Sequence, residues 1–247
     1  MSGFIGANLI MKRELGSYFS TPLAYIFIVI FLMMSGVSTF YIGRFFERGQ
    51  ADLISFFNFI PWLYLILVPA IAMGLWSEER KSGTIELLMT LPITVIQAVL
   101  GKFLAAWIFI GVALALTFPV WITVNYLGEP DNGVILASYL GSWLMAGGFL
   151  AIGSCISATT KSQVVAFILT LVVCFIFVAA GFSMVQDAFT EWAPLWVVDG
   201  ISSLSFLTHF DAISRGVIDL RDLLYFLIMT LCWLAATTIV INIKKAD

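Results

Sequence analysis

The chain has 247 residues, of which 61% are hydrophobic and only 11% are charged, and its formal net charge is −3. A soluble domain carries about 25% charged and about 45–50% apolar residues, so this composition, with a mean hydropathy of +1.04, excludes an ordinary soluble protein. No basic face for nucleic acid is present. The three cysteines lie in apolar runs, which disfavours a disulfide framework or a metal site.

Six apolar stretches are long enough to cross a bilayer, which needs about 20 residues per helix. They predict an all-α fold, a single transmembrane domain over residues 1–247. The predicted spans are about 23–43, 53–76, 103–126, 134–158, 163–186 and 223–243. Two longer connections remain, a loop at 77–101 and an amphipathic segment at 187–222.

The distribution of lysine and arginine predicts the orientation of the spans, because these residues are retained on the cytoplasmic side. With six spans, one side holds Lys12, Arg13, Arg80, Lys81, Lys102, Lys161, Lys244 and Lys245. The other side holds Arg44, Arg48, Arg215 and Arg221. We therefore expect both termini to be cytoplasmic, the 77–101 loop to be cytoplasmic and the 187–222 segment to be outside.

The loop after the second span begins with charged residues and ends in an apolar segment. Ile85, Leu88 and Met89 would share one face of a short helix along the membrane surface, ended near Pro92. Such a helix can transmit force if a partner holds it. The alternative is a solvated loop whose basic residues act only as a stop signal.

The 187–222 segment contains a predicted amphipathic helix with Phe206, Phe210, Ile213 and Val217 on one face. These side chains could form a gate or docking platform, or simply anchor an interfacial helix. His209, the only histidine, has no second ligand nearby, so a hydrogen-bonded structural role is favoured over a metal site.

Two sequence strings resemble one family of membrane proteins. EERKSGTIELLMTLPI is similar to the coupling segment of ABC-2 permeases, and the matching residues are Glu79, Gly83, Thr84, Glu86, Leu88 and Pro92. SFLTHFDAISRGVIDLRDLLYF resembles the signature of the gliding-motility (GldF-like) subfamily. The matching residues there are His209, Phe210, Ile213, Arg215, Gly216, Ile218, Asp219, Asp222, Tyr225 and Phe226.

The resemblance implies a type V exporter-like permease fold in a bacterial inner membrane. It also implies a separate ABC ATPase subunit that binds ATP and Mg²⁺, and a second permease copy or a related permease. An extracytoplasmic subunit and membrane lipids are the other expected partners. The chain itself has no G-x-x-x-x-G-K-[ST] motif and no catalytic constellation, so we expect neither enzymatic activity nor a cofactor in it.

The resemblance and the pattern together give three sets of candidate residues. The ATPase-coupling set is Glu78, Glu79, Gly83, Thr84, Glu86, Leu87 and Leu88. The outer gate or partner-docking set is Phe206, His209, Phe210, Arg215 and Asp219. The pathway or dimer-seam set is Phe56, Phe59, Trp62, Phe167 and Phe175, although lipid contact explains any one of these aromatics.

A different function remains open at this point. The chain could be a mechanotransmitter or membrane scaffold that passes ATP-driven motion to a periplasmic partner without moving a solute. An apolar pathway and a dry dimer seam fit the aromatic residues of the second and fifth spans equally well. The sequence therefore leaves the substrate and the direction of transport open.

Overall fold

The computed structural model describes residues 3–85, 93–190 and 194–244, and within these ranges every regular element is a helix. We number the α-helices in chain order. They are α1 (Gly3–Ser20), α2 (Pro22–Val37), α3 (Phe45–Arg48), α4 (Ile54–Ala72), α5 (Gly74–Ser82), α6 (Val95–Ala115), α7 (Phe118–Leu127), α8 (Asn132–Thr159), α9 (Gln163–Ala179), α10 (Ser183–Thr190), α11 (Leu195–Ser203), α12 (Phe206–Ser214) and α13 (Leu220–Lys244). A π-helical turn, Ser38–Ile42, extends α2.

Five helical stretches of the described chain are long and apolar enough to cross a membrane. They are Ala24–Arg48, Ile54–Ser82, Val95–Leu127, Asn132–Thr159 and Leu220–Lys244. The stretch predicted as the fifth span forms the shorter apolar helix α9, Gln163–Ala179. The all-helical prediction is confirmed for the described residues, and five of the six predicted spans coincide with helices of sufficient length.

The second and third of the long stretches contain helix breaks within their apolar parts. α4 ends at Ala72 and α5 restarts at Gly74, just after Pro69. α6 gives way to α7 before Pro119, which occupies the first turn of the new helix, as proline prefers. At this second break Thr117 Oγ1 lies 2.8 Å from the Tyr139 hydroxyl and donates to the Leu114 carbonyl. Side chains thus satisfy backbone groups that a break would leave unpaired in an apolar environment.

α8 lies at the centre of the bundle. It packs against α4, α6, α9, α12 and α13, and its residues from Met145 to Ala158 are all buried. Small residues make this possible, because they let neighbouring helices approach closely. Gly147, Ala151, Ser154 and Ala158, the small-residue face visible in the sequence, all lie in this buried stretch.

The N-terminal helix α1 was not predicted from the sequence. It packs along α6, with Ile10 against Gly101 and with the ring of Tyr18 stacked on Phe109 at 5.3 Å between centroids. A Cβ atom on Gly101 would lie 2.7 Å from the Cβ of Ile10, so the absence of a side chain there permits the contact. The apolar face of α1 is short and interrupted by charged residues. The sequence therefore has no long uncharged run there that would predict a span.

Both long connections are more ordered than predicted. The 77–101 loop is shortened from both sides, because α5 continues to Ser82 and α6 begins at Val95. Gly83, with φ of +74°, ends α5 in the left-handed conformation that glycine adopts readily. Thr94 and Gln97 form a capping box that starts α6 eight residues before the predicted span.

The segment between α9 and α13 contains the short helices α10, α11 and α12. α12 runs back along α8, since Phe206 lies beside Gly148 while Ser138 Oγ donates to the Ser214 carbonyl at 3.3 Å. Ten residues of α8 separate these two contacts, or about 15 Å along the helix axis. α12 therefore starts inside the bundle and runs toward its end.

The predicted helix over Phe206, Phe210, Ile213 and Val217 ends earlier than expected. The first three side chains are buried against the bundle, but Val217 lies beyond α12 and is 61% exposed. Gly216, with φ of +84°, reverses the chain immediately after the helix. Arg215 and Asp219 both follow the end of α12, so they are not an i,i+4 pair on that helix.

Candidate functional site

The bundle has two ends that differ in charge. The basic end comprises Ser82, Val95, Thr159, Gln163 and Lys244, with the first half of α1 beside them. The opposite end comprises Gly43, Ile54, Leu127, Asn132 and Leu220.

A buried lysine connects three helices at the basic end. Lys102 of α6 is 5% exposed, and its Nζ lies 2.9 Å from Glu79 Oε1 of α5 and 3.5 Å from Glu14 Oε1 of α1. Nζ also lies 5.4 Å from the ring centroid of Trp76, within range of a cation–π interaction. A buried charge is stable only when it is paired, so this cluster fixes the relative positions of α1, α5 and α6.

The cluster contains two carboxylates for one ammonium group. Glu79 Oε2 is buried and has no hydrogen-bond partner among the described residues. Arg13 pairs with Glu14 at 2.7 Å and extends the cluster toward the surface. Removing Lys102 alone would leave Glu14 and Glu79 facing each other across a largely buried space, which is costly.

Serines of α8 hold the start of α5 in place. Ser157 Oγ accepts hydrogen bonds from the backbone N–H groups of Trp76 and Ser77, both at 3.1 Å, and donates to the Met73 carbonyl at 2.8 Å. Ser154 Oγ accepts from Trp76 Nε1 at 3.0 Å. The first N–H groups of a helix have no partner inside it, so α8 supplies the cap for α5.

Two cations lie at the C-terminal end of α8. Arg80 donates to the Ala158 carbonyl, and Lys244 donates to the Thr159 carbonyl. Cations are favoured at this end of a helix, where the carbonyl groups are unpaired and the dipole is negative. α5, α8 and α13 are thus joined at the basic end.

The predicted ATPase-coupling residues fall into three groups. Glu78 is exposed and accepts a 3.3 Å hydrogen bond from Gln163 Nε2. Glu79 points into the ion-pair cluster instead of toward the surface. Gly83 and Thr84 are exposed at the turn after α5. The remaining residues, Glu86, Leu87 and Leu88, lie outside the described residues.

At the opposite end, the candidate gate residues separate into buried and exposed sets. Phe206, His209 and Phe210 are buried, at 0%, 5% and 1% exposure. Arg215 and Asp219 are exposed. His209 makes hydrogen bonds through both ring nitrogens and stacks on Tyr225, as expected of a structural histidine.

The aromatic residues predicted to line a pathway or dimer seam are distributed unevenly. Phe56 is 1% exposed and packs on Phe57 and Tyr139, so it belongs to the interior of the chain. Trp62 is 41% exposed and Phe175 is 43% exposed. Two others, Phe59 and Phe167, are partly buried. Phe56 therefore lies inside the chain, and the surface candidates are on α4 and α9.

Sequence reasoning missed the roles of Glu14, Ser154 and Ser157, and it treated Lys102 only as the start of a span. One signal was present: Ala7, Ile10, Glu14 and Tyr18 recur at helical spacing within an otherwise short N-terminal segment. The two serines gave no such signal, because serine is ordinary in a small-residue helix face. In the described part of the chain, no group of three metal-binding side chains occurs.

The sequence was compared with protein-family models and with curated proteins. The model described as "ABC-2 family transporter protein" matches residues 24–243, which is most of the chain. No curated protein matches. The match covers the five long apolar stretches, apart from Lys244 at the end of the last one, and includes α9 and α12. The chain belongs to the ABC-2 family of transporter proteins.

Proposed function

We propose that this chain is the permease subunit of an ATP-driven ABC-2 exporter in a bacterial inner membrane. Its family consists of multi-pass membrane components that are not themselves catalytic and that generally pair with an ABC ATPase subunit. In the proposed assembly, two permease copies associate with separate ATPase subunits that bind ATP and Mg²⁺. The similarity of residues 205–226 to the gliding-motility signature supports membership of that subfamily.

We place the basic end in the cytoplasm and the opposite end outside, with six membrane crossings. The basic end carries Lys12, Arg13, Arg80, Lys81, Lys102, Lys161 and Lys244. Such a bias favours retention on the cytoplasmic side. α9 supplies the sixth crossing in this arrangement, with α10 and α11 completing the path because α9 has only 17 residues.

The ion-pair cluster of Glu14, Lys102 and Glu79 is the observation that carries the coupling proposal. Glu79 lies four residues before Gly83, where α5 ends and the connection to α6 begins. A force applied to residues 78–90 by an ATPase would reach α6 and α1 through Lys102. Because Ser157 holds the start of α5, the same force would also reach α8.

This geometry gives the two adjacent glutamates different roles. Glu78 faces outward and is available to an ATPase, whereas Glu79 is an internal link between helices. Gly83 provides the turn between them and the rest of the segment. Glu86, Leu87 and Leu88 remain proposed ATPase contacts from the resemblance.

The coupling proposal is tested by neutralising Glu79. The permease is co-expressed and purified with its candidate ABC ATPase, and ATP hydrolysis by the complex is compared with that of the ATPase alone. We expect Glu79→Gln to co-purify normally but to lose permease-dependent hydrolysis by about tenfold, since a charged hydrogen bond contributes about 1.5–3 kcal/mol. The mass of the purified complex tests the two-permease assembly.

Two further variants make the outcome specific. Glu78→Gln changes the neighbouring exposed carboxylate in the same way and should alter hydrolysis less than twofold, about the effect of a surface pair. Exchanging the partners, as Glu79→Lys with Lys102→Glu, should restore part of the lost hydrolysis. If Glu79→Gln retains full permease-dependent hydrolysis, the internal link is not part of the coupling path.

At the opposite end, Arg215 and Asp219 are the candidates for contact with an extracytoplasmic subunit, because they are exposed. Phe206, His209 and Phe210 would act indirectly, by holding α12 against α8. The exposed parts of Trp62 and Phe175 are the proposed pathway or dimer-seam surface. Lipid covers whatever part of this surface the second permease copy leaves free.

A further inference from the structure

His209 is bound on both sides of its ring. Nδ1 lies 2.6 Å from Asp222 Oδ1, and Nε2 lies 3.0 Å from the backbone carbonyl oxygen of Ser203. The ring of Tyr225 stacks on the imidazole with centroids 3.9 Å apart. Both His209 and Asp222 are buried, at 5% and 7% exposure.

These contacts restrict the number of protons that the pair can hold. A neutral imidazole has one N–H donor and one acceptor nitrogen. Neither an ionised carboxylate nor a backbone carbonyl can donate, so a neutral ring beside ionised Asp222 would leave one lone pair facing another oxygen. Both contacts are hydrogen bonds only when the pair carries one further proton, either on the imidazole or on the Asp222 carboxyl group.

The same contacts connect three helices. His209 is on α12, Asp222 and Tyr225 are on the first turns of α13, and Ser203 is the last residue of α11. The Tyr225 hydroxyl donates to the Leu204 carbonyl and strengthens the connection to the end of α11. We call the set of His209, Asp222, Tyr225 and the Ser203 carbonyl the histidine clasp.

The other charged groups near the histidine clasp are exposed. Asp211 on α12 and Arg215 just after its end are both exposed. Partial burial raises the pKa of the Asp211 carboxyl group, and Arg215 lowers it by less. On α13, Arg221 and Asp219 near its start are exposed, and on α11 Asp199 is exposed. The residues of α12 that face α8 are Phe206, Phe210 and Ile213, which do not titrate. Within the described residues, Asp222 is the one acidic side chain in direct contact with the histidine ring.

We propose that the histidine clasp is a proton-operated latch: with the additional proton bound it holds α11, α12 and α13 together, and its loss releases α11 from α12. The physical cause is the Nε2 lone pair: the Asp222 carboxylate is the stronger acceptor and keeps the remaining N–H on Nδ1, so deprotonation turns a lone pair toward the Ser203 carbonyl. A buried polar group without a partner is costly, and exchanging that contact for water is possible only if the helices separate. Higher pH at the opposite end therefore favours the released state.

The single histidine makes the latch directly measurable. The chain contains one His, so ¹⁵N-histidine labelling of protein purified through an affinity tag without histidine gives signals from His209 alone. The protein is studied in lipid nanodiscs, where both ends meet the same buffer. Spectra are compared at about pH 5 and about pH 8, the interval in which a histidine ordinarily changes charge, and the latch requires that the additional proton is present at the first and absent at the second.

Hydrogen–deuterium exchange reports whether the helices separate. After correction for the intrinsic pH dependence of exchange, amides of residues 201–214 should exchange about tenfold faster in the deprotonated protein, because local opening exposes them. Asp222→Asn should abolish this change, since an amide NH₂ can donate to a neutral Nδ1 while Nε2–H still donates to Ser203. His209→Ala should exchange rapidly at every pH.

Asp211→Asn is the matched control, because it removes a titratable carboxylate from the same helix without touching the clasp. It should keep the wild-type pH dependence. The latch is wrong if the histidine signals do not change between the two pH values, or if they change while exchange in residues 201–214 stays constant. It is also wrong if Asp222→Asn retains the pH-dependent change. None of these readouts involves an ATPase, so they stand apart from the coupling proposal.

Discussion

Gly153 of α8 lies where this helix contacts both α4 and α9. A Cβ atom there would be 2.3 Å from the Cβ of Ala72 on α4 and 3.1 Å from Thr170 Cγ2 on α9. Neither neighbour can move away by rotating a flexible side chain. The single hydrogen on Gly153 thus determines how closely α4 and α9 approach α8.

We expect Gly153→Ala to destabilise the protein by about 1–3 kcal/mol, the usual result of overpacking a well-filled interior. The midpoint of thermal unfolding in nanodiscs measures the change. Gly36→Ala is the matched control: Gly36 lies in the apolar helix α2, and a Cβ atom there would meet nothing within 4 Å. That variant should be as stable as the wild type or slightly more so, and equal stability of Gly153→Ala would contradict the crowding argument.

The role of Lys102 depends on residues that are distant from it in the sequence. The sequence places it at the boundary of a span, where a lysine needs no partner. In the folded chain it is 5% exposed between Glu14 and Glu79. The pairing partners are 88 and 23 residues away along the chain, so no local pattern reveals them.

At the scale of elements, the second long apolar stretch is two helices, and the second is capped by another part of the chain. Ser157 of α8 accepts from two N–H groups at the start of α5 and donates to the Met73 carbonyl at the break. One side chain therefore satisfies donors and an acceptor that the break leaves free. It also fixes the direction in which α5 leaves the bundle.

We expect Ser157→Ala to lower the free energy of unfolding by about 1–3 kcal/mol, because the buried N–H groups of Trp76 and Ser77 lose the hydroxyl that accepts from them. Thermal unfolding measures the loss, and exchange at the amides of residues 74–82 shows whether it is confined to α5. Ser142→Ala serves as control, since Ser142 is equally buried on α8 but only donates to the Ser138 carbonyl of its own helix. If the two variants lose equal stability, the cap supplied by Ser157 is not special.

The contact between α6 and α8 is built from two matching Trp and Gly pairs. Trp107 Nε1 donates to the Trp143 carbonyl at 2.8 Å, and Trp143 Nε1 donates to the Trp107 carbonyl at 3.3 Å. The rings stack with centroids 4.2 Å apart. Trp107 lies against Gly147, which is four residues after Trp143 on α8. Trp143 lies against Gly111, which is four residues after Trp107 on α6. A larger residue at either glycine would displace the opposite indole.

At the scale of the whole molecule, the distribution of charge gives the bundle its polarity. The described lysines all lie at or near the basic end, whereas the opposite end carries Arg44, Arg48, Arg215 and Arg221 together with several acidic residues. Acidic residues have little influence on orientation. The proposed orientation therefore depends on the lysine and arginine residues.

This orientation is tested with single cysteines at the two ends, Ser82→Cys and Glu129→Cys, both at exposed positions. A membrane-impermeant maleimide added to intact cells should label Glu129→Cys, while Ser82→Cys should react only after the membrane is opened. Cys155, Cys174 and Cys232 are replaced by serine or alanine in the background of both variants. The reverse pattern would invert the orientation and move the 78–90 segment away from any cytoplasmic ATPase.

The sequence alone determined the class of this protein. Its composition and long uncharged stretches require a helical membrane protein, because only an apolar solvent accommodates so many exposed hydrophobic side chains. It also located the two informative segments, since charge and apolar periodicity change abruptly there. The family resemblance drawn from those segments agrees with the match over residues 24–243.

Only the tertiary structure decided which charges are paired, which aromatics are internal and where the broken helices are capped. The clusters around Lys102, Ser157 and His209 each join residues from two or three separate helices. Helical periodicity describes one element at a time, whereas these contacts depend on how helices cross. Small residues such as Gly101 and Gly153 set those crossings, and their importance appears only when the neighbouring helix is in place.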